Sequence, residues 1–170
     1  PLKPKPSLSG KHQFENACLA ATSLKYLEGF NLSEENIKHG IEQTTWYGRN
    51  EILQKEPLVI FDVGHNESGI RGFLNYCNSI DNSGISVLVL SLQRRKNIVN
   101  IVPQLLDTFD YIVCCETDNL RTMTLDEMAT QLGKSENVNY IQSTKYAINK
   151  GLSLLQTKTD KMAIVGTHHF

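Results

Sequence analysis

Short apolar runs alternate with segments of helical spacing over most of this chain, from residue 58 onward. The runs are rich in Val, Ile and Leu, and they predict five strands, at 58–62, 85–91, 110–115, 138–141 and 161–166. Between them, apolar residues recur every three or four positions and predict helices near 68–80, 97–107, 124–132 and 143–155, with a turn at 81–84. Strands that are apolar along their whole length and alternate with helices indicate a parallel sheet covered on both faces.

The first 40 residues show a helical pattern that does not belong to this sheet. Apolar residues at helical spacing predict a helix over about 12–28, with Gly29 as its C-cap. Ser33 is typical of an N-cap, with Asn36 at the position where a capping box has Glu or Gln, and the second helix should end just before Gly40. The predicted fold class is therefore α/β, a Rossmann-like and mostly parallel sheet from about residue 43, preceded by a helical segment.

Polar side chains follow the first predicted strand of the parallel sheet. Asp62, His65 and Asn66 come directly after the apolar run at 58–61. In an open α/β sheet, ligands bind in the crevice beyond the carboxyl ends of the strands. Packing alone gives no reason to place an acid, an imidazole and an amide there, so the sequence predicts a ligand-binding loop at this position.

Each of these residues also has a structural interpretation. Asp62 could accept hydrogen bonds from a ribose or could cap the next helix. His65 and Asn66 could hold a substrate carboxylate or move a proton, or they could simply form a turn. Arg49, ahead of the strand, could clamp a phosphate or pair at the surface with Glu51. Residue chemistry alone leaves these alternatives open.

Composition narrows the function classes. The chain has 170 residues, and its 17 Lys and Arg nearly balance 18 Asp and Glu, which argues against nucleic-acid binding through bulk charge. No apolar run approaches the roughly 20 residues that a membrane span needs. The four cysteines lack CxxC spacing, and Cys114 and Cys115 lie in an apolar run where they should pack as small hydrophobes. We therefore expect a cytoplasmic protein with no nucleic-acid or membrane partner.

Familiar catalytic motifs are missing from the printed sequence. It contains no GxxxxGK[ST] phosphate loop, no GxGxxG after the first strand and no Gly-x-Ser-x-Gly elbow. The adjacent His168 and His169 would point in different directions on a strand, so they do not favour a metal site. Residue chemistry alone therefore reaches only an α/β domain with a polar ligand loop.

Three ordered motifs resemble the folylpolyglutamate synthase/dihydrofolate synthase family of the Mur ligase superfamily. They are HQ..N at 12–16, GI....W.GR.E at 40–51 and FD..HN at 61–66. The stretch YIVCCETDNLRTMTLDEMA resembles that family's strand, loop and helix, and VGTHHF resembles its terminal strand. Each motif alone is weak, but together they are specific and extend over essentially the whole chain.

The resemblance implies a domain division and a missing partner. Residues 1–40 would be the end of a central ATP-binding domain, and residues 41–170 would be the C-terminal Rossmann-like domain. The family's phosphate loop and its Mg²⁺ ligands would lie upstream of residue 1, so we expect no metal ligands here. The chain would then be the C-terminal piece of a protein more than twice as long, and inactive by itself.

The resemblance also implies roles for individual residues. Asn16, which as a lone helical asparagine carries no signal, would contact ATP together with Arg49 and Asp62. His65 would lie beside the glutamate and acyl-phosphate site, and His65 and Arg49 would be catalytic. In the implied reaction, ATP phosphorylates a carboxylate of dihydropteroate or of a folate, and the amine of L-glutamate attacks the acyl phosphate. Arg49 and Mg²⁺ would neutralise the phosphoryl charge.

Two loops depart from the family's pattern. Arg94-Arg95-Lys96-Asn97 stands where Asp-Lys-Asp is frequent, and Leu120-Arg121-Thr122 stands where Pro-Arg-Ala is usual. These changes concern glutamate recognition and loop geometry and not the fold. Two alternatives to a folate ligase stay open at this point: a related ligase that acts on cell-wall precursors, and a non-catalytic α/β module that binds a nucleotide or another ligand.

Overall fold

A computed structural model describes residues 5–81 and 83–170. Its helices are α1 (Lys11–Leu24), α2 (Glu34–Gln43), α3 (Glu67–Asn78), α4 (Val102–Thr108), α5 (Leu125–Leu132) and α6 (Thr144–Leu154). Its strands are β1 (Glu51–Lys55), β2 (Leu58–Asp62), β3 (Ser86–Leu90), β4 (Tyr111–Cys115), β5 (Val138–Ile141) and β6 (Lys161–Val165). Asn82, in the predicted turn at 81–84, and residues 1–4 of the predicted first domain lie outside the described residues.

The described strands form one sheet in the order β1-β2-β6-β3-β4-β5. All neighbouring pairs are parallel except β1 and β2, which are antiparallel. The five predicted strands are confirmed, and so is the mostly parallel α/β sheet. The last strand, β6, lies between β2 and β3, so the segments that follow β2, β6 and β3 are neighbours at the carboxyl edge of the sheet.

Helices cover both faces of the sheet, as predicted. Successive residues of a strand point to opposite faces. Ile60, Leu88 and Ile112 therefore pack with α3, α4 and α5 in one apolar cluster, whereas Val59, Val89 and Val113 pack with α6 in another. The four cysteines are free thiols, and Cys114 and Cys115 are fully buried, one in each cluster.

Strand β1 was not predicted. Its sequence, EILQK, has no residue that is fully buried, and its register to β2 is interrupted by a bulge between Ile52 and Gln54. An edge strand of this kind has neither a fully apolar run nor a clean alternation. Hydrogen bonding to β2, rather than burial of its own side chains, therefore makes this segment a strand.

The boundaries of the first two helices differ from the prediction. Helix α1 ends at Leu24 rather than near residue 28. In its last turn, the hydroxyls of Thr22 and Ser23 donate hydrogen bonds to backbone carbonyls four residues earlier. The Ser33 cap is confirmed, because Asn36 N–H donates to Ser33 Oγ at 3.1 Å and Ser33 N–H donates to Asn36 Oδ1. Helix α2 runs through Gly40 to Gln43, since one helical glycine weakens a helix without ending it.

One glycine fixes how closely the ends of β6 and β3 approach each other. Gly166 has φ +119°, and a Cβ at this position would lie 1.8 Å from the Ser91 carbonyl oxygen. Only glycine fits such a backbone contact. The loop after β6 is therefore held against the end of β3. Among the described residues, no helix combines the length and the apolar character that crossing a membrane requires.

Asp160, ahead of β6, should make stability depend on acid. Its buried carboxylate accepts hydrogen bonds from the backbone N–H groups of Thr157, Gln156 and Ile85, which hold its pKa at about 2. A pKa below the unfolded value gives stability that is present above about pH 4 and is lost as the pH falls toward 2. We expect Asp160→Asn to lower the melting temperature at pH 7 and to make it less sensitive to pH between 4 and 2.

Thermal unfolding followed by circular dichroism across this pH range measures the effect. Asp107→Asn, which changes an exposed carboxylate at the end of α4, is the matched control and should behave like the wild type. Parallel pH curves for Asp160→Asn and the wild type would contradict the assignment.

Candidate functional site

Three of the four predicted site residues gather around the carboxyl end of β2. Asp62 is the last residue of this strand, His65 lies in the loop that follows, and Arg49 precedes β1, the antiparallel neighbour. Their proximity follows from the pairing of Glu51 with Phe61, which brings the start of β1 next to the end of β2.

Asp62 joins the two segments. Its side chain is 4% exposed, Oδ2 accepts the Asn50 N–H at 2.9 Å, and Oδ1 accepts the Gly64 N–H at 2.7 Å. Val63 N–H also donates to the Gly48 carbonyl oxygen at 3.0 Å. One buried carboxylate therefore fixes the segment 48–50 and the loop after β2 in a single arrangement. It does not cap α3, which excludes that interpretation of Asp62.

Burial raises the pKa of the Asp62 carboxyl above its usual value. The two backbone N–H donors and, after them, the charges of Arg49 and His12 act in the opposite direction, because each favours the ionised form. Removing the ionised carboxylate from water costs free energy, and its two hydrogen bonds offset this cost only in part.

Segment 48–50 has a backbone shape that requires particular residues. Gly48 has φ +68° and Asn50 has φ +48°, both in the left-handed region, where Gly and Asn are the residues best tolerated. A Cβ on Gly48 would lie 2.5 Å from Cγ1 of Val63, so this position also has no room for a side chain. The segment turns sharply on both sides of Arg49.

Arg49 is half-buried and does not pair with Glu51. The Glu51 carboxylate instead accepts the Gly48 N–H at 2.7 Å. Within residues 5–81 and 83–170, no hydrogen bond or ion pair engages the Arg49 guanidinium. The surface pair with Glu51 is therefore not seen, and the guanidinium of Arg49 at this edge is available to an anion.

His65 has a defined tautomer. Its Nδ1–H donates to the Val63 carbonyl oxygen at 3.1 Å, which leaves Nε2 as the free ring nitrogen of the neutral imidazole. Asn66, by contrast, caps α3, because its Oδ1 accepts the Gly69 N–H at 2.8 Å. His65 therefore has one ring nitrogen available to a ligand, whereas the side chain of Asn66 is used to cap α3.

His168 also belongs to this cluster, and residue patterns did not single it out for this site. Its ring lies 6.0 Å from that of His65, measured between centroids. Partial loss of water contact lowers the pKa of His168, and the charges of His65 in its protonated form and of Arg49 lower it further. Finding this residue requires knowing that β6 lies beside β2, which no spacing in the sequence reveals. Among the described residues, no group of three or more His, Cys, Asp or Glu could hold a metal ion.

Asn16 lies apart from these residues. It is exposed on α1, where its Nδ2–H donates to Gln13 Oε1 at 3.3 Å. It lines a groove of about 170 Å³ between α1 and the residues around Ile41 and Thr44. His12, one turn earlier, lies on another side of α1 and packs against Gly72 of α3. The structure therefore brings Arg49, Asp62 and His65 together and leaves Asn16 in a separate groove.

Residues 48–168 match the family described as "Mur ligase, glutamate ligase domain". The chain is 34% identical over 103 residues to the dihydrofolate synthase/folylpolyglutamate synthase of Bacillus subtilis (strain 168), which covers 58% of this chain and 24% of that protein. It is 30% identical to the UDP-N-acetylmuramoyl-L-alanyl-D-glutamate–L-lysine ligase of Streptococcus mutans, over 94% of this chain and 34% of that protein.

A solved structure of Escherichia coli FolC "in complex with DHPP and ADP" has the same fold. The TM-score is 0.81 at 25% identity, and the match covers 98% of this chain and 38% of that chain. Across these comparisons the chain spans between about a quarter and two fifths of the length of the proteins that it matches.

Replacing Asp62 should loosen the segment that carries Arg49. Asp62→Asn keeps one acceptor oxygen, so the N–H of Asn50 or of Gly64 then faces an NH₂ group. An unsatisfied buried donor costs about 1–3 kcal/mol, and we expect that loss in the free energy of unfolding. Urea unfolding measures it, and amide hydrogen exchange at Asn50 and Gly64 should accelerate. Asp118→Asn, an exposed carboxylate, is the control; unchanged exchange at both amides in Asp62→Asn would refute the role.

Proposed function

This chain belongs to the Mur ligase, glutamate ligase domain family, and on that basis we propose that it is the C-terminal part of an ATP-dependent ligase. The reaction would add L-glutamate to folates, as in folylpolyglutamate synthase, or to dihydropteroate, as in dihydrofolate synthase. Relatives with those names support the substrate assignment. The intermediate would be an acyl phosphate, and the chain alone would be inactive because it spans only part of its relatives.

Arg49 carries this proposal. A guanidinium without a carboxylate partner, carried by a backbone segment that a buried aspartate holds in place, suits a reaction in which negative charge develops on a phosphoryl group. We assign Arg49 to the phosphates of ATP and to the acyl phosphate. It would be both a cofactor-binding and a catalytic residue.

His65 and Asp62 would serve the same step differently. The free Nε2 of His65 can accept a proton from the ammonium of the incoming glutamate or donate a hydrogen bond after protonation. Asp62 would act on ATP chiefly by placing Arg49, because each of its oxygens already accepts a backbone N–H. Direct contact of Asp62 with ATP stays a prediction.

The proposed reaction has two steps, phosphorylation of a carboxylate and formation of an amide. A substrate carboxylate oxygen attacks the γ-phosphorus of ATP, and ADP leaves. The deprotonated amine of L-glutamate then attacks the acyl carbon, inorganic phosphate leaves and an amide forms. Mg²⁺, when bound, would neutralise phosphate charge, and its ligands are expected mainly in the upstream region.

An upstream domain is the partner that we propose for the N-terminal part of the chain, up to about residue 53. Ten of the fourteen large apolar side chains that are exposed in the described chain lie between residues 14 and 53. They include Phe14, Tyr26, Phe30, Trp46 and Tyr47. Apolar surface in such concentration is typical of a covered interface. Residues 1–40 would belong to the central ATP-binding domain, which would bring Asn16 to ATP, and residues 41–170 would form the C-terminal domain.

We place the complete enzyme in the cytoplasm, with small-molecule substrates and with neither nucleic acid nor membrane as a partner. The near balance of charge and the four free thiols support this placement.

A ligase for cell-wall precursors is the second candidate. The 30% identity to the Streptococcus mutans lysine ligase over 94% of this chain favours it. Assays of the complete protein with folates and with nucleotide-linked muramyl peptides separate the two ligases. A complete protein that hydrolyses ATP with neither acceptor and forms no amide would instead support a non-catalytic binding module.

Replacing Arg49 tests whether its positive charge stabilises the phosphoryl group. In the complete protein, Arg49→Ala should lower kcat for glutamate ligation by about 100-fold or more, since one electrostatic contact to the transition state is lost. Steady-state assays of ADP release measure it. Arg71→Ala, which removes a partly exposed arginine paired with Glu67 on α3, is the control and should keep near-normal rates. Equal kcat for Arg49→Ala and the wild type would remove Arg49 from the reaction.

The isolated chain should be inactive. Incubated with ATP, Mg²⁺, L-glutamate and a folate, residues 1–170 should form no amide that mass spectrometry detects, because the phosphate loop is expected upstream. Adding the upstream domain in trans or in one chain should restore ligation. Ligation by the 170-residue chain alone would contradict the proposed division of the enzyme.

A further inference from the structure

A cavity lies at the amino edge of the sheet, where the parallel strands β3, β4 and β6 begin. It has a volume of about 420 Å³, and its lining includes Lys161, Ser86 and Asp110. Among the described residues that line it, Ile80 is the only large apolar side chain. A strand of five residues is about 16 Å long, so this amino-edge cavity is well separated from the candidate site at the carboxyl edge.

Three polar residues of the lining stand side by side on neighbouring strands. Ser86 pairs with Lys161 in the register of β3 and β6, and the pairing of Val87 with Tyr111 places Asp110 level with Ser86. Residues two apart on a strand share a face, and each of the three lies two positions before a residue of the apolar cluster that contains α3 and α4. Two strand spacings of about 4.8 Å place the Cα atoms of Lys161 and Asp110 roughly 10 Å apart.

The ammonium group of Lys161 is buried with one acceptor. The residue is 4% exposed, and Nζ donates to the Cys77 carbonyl oxygen at 3.0 Å in the last turn of α3. In the part of the chain that the structure describes, Lys161 forms no ion pair. Burial accordingly lowers the pKa of Lys161. Since an ammonium group has three N–H donors, an anion bound beside Nζ would use a further donor and would compensate the buried charge.

Asp110 supplies a negative charge on the other side of Ser86. Its Oδ2 accepts the Ser86 N–H at 2.8 Å and lies 2.8 Å from the Ser86 hydroxyl oxygen, which holds the carboxylate against the start of β3. The residue is exposed, and its Oδ1 accepts no hydrogen bond from the described residues. One carboxylate oxygen is therefore available to a donor on a ligand.

The two charges differ in sign, and this restricts the ligand. A ligand with negative charge alone would be attracted by Lys161 and repelled by Asp110, and a ligand with positive charge alone would meet the reverse. A small molecule that carries both charges satisfies both residues at once. The nearly complete absence of large apolar side chains from the described lining favours a polar ligand over an apolar one.

We propose that the amino-edge cavity binds a small polar α-amino acid as a zwitterion, with its carboxylate on Lys161 and its ammonium group on Asp110. This site is distinct from the position of the incoming L-glutamate, which the proposed reaction places at the carboxyl edge. The bound amino acid takes no part in ligation. The inference therefore does not depend on the proposed function, and a failure of either one leaves the other in place.

Three matched probes test the inference by titration into the ¹⁵N-labelled protein at pH 7. They are L-serine, 3-hydroxypropionate, which lacks only its ammonium group, and ethanolamine, which lacks only its carboxylate. We expect L-serine to cause saturable shifts of the amides of Asn78, Ser86 and Lys161, and to leave those of His65 and Gly166 in place. L-Serine should bind about tenfold more tightly than either analogue, because each analogue loses one charge-assisted hydrogen bond.

Two variants assign the two charges. Lys161→Met keeps an unbranched side chain and should weaken L-serine binding to about the level of ethanolamine on the wild type. Asp110→Asn keeps an acceptor for Ser86 and should weaken it to about the level of 3-hydroxypropionate. Lys150→Met, which removes an exposed lysine of α6 on the other face of the sheet, is the control and should bind L-serine like the wild type.

The inference would be overturned by equal affinity of the wild type for the three probes, or by L-serine shifts that are absent or confined to the carboxyl edge. It would also be overturned if Asp110→Asn and Lys150→Met bound L-serine equally well. The probe series on the wild type and the Asp110→Asn variant decide the question even if Lys161→Met does not fold.

Discussion

The structure at this edge of the sheet depends on one buried carboxylate. Asp62 accepts one backbone N–H with each oxygen, and these two bonds connect the residue pair around Arg49 to the loop that contains His65. Burial alone would disfavour an ionised group there, so the two donors are what make the position tenable. One of the donors, Asn50, has a left-handed backbone conformation, so the turn beside Arg49 is held by its hydrogen bond to this one side chain.

Much of the fold was predictable because its strands are buried on both faces. Continuous apolar runs such as 58–61 and 111–115 identify strands, and capping residues such as Ser33 locate helix starts. Strand β1 escaped prediction because Glu51–Lys55 buries almost nothing. The prediction placed the end of α1 too late because Gly29 is a plausible C-cap. The hydroxyls of Thr22 and Ser23, several residues earlier, already hydrogen-bond to carbonyls of the last helical turns.

The candidate site was also predictable only in part. Arg49, Asp62 and His65 are close in sequence to one strand end, so local reasoning could find them. His168 lies about a hundred residues further along, and its place beside His65 depends on β6 entering the sheet next to β2. Long-range strand order is a property of packing, and no local spacing encodes it. For the same reason, the contact between the loops of Arg94 and Arg121 appears only in the structure.

Strand β1 has a further consequence for the isolated chain. Its outer side is an open sheet edge, with Ile52 and Leu53 exposed, and such edges can pair with strands of other molecules and lead to aggregation. The bulge at Ile52/Gln54 disturbs the regular hydrogen-bonding pattern, and Lys55 places a charge at the end of the strand. These features protect the edge in the way that natural sheets commonly do, and a substitution that flattened the bulge would reduce solubility before it changed the site.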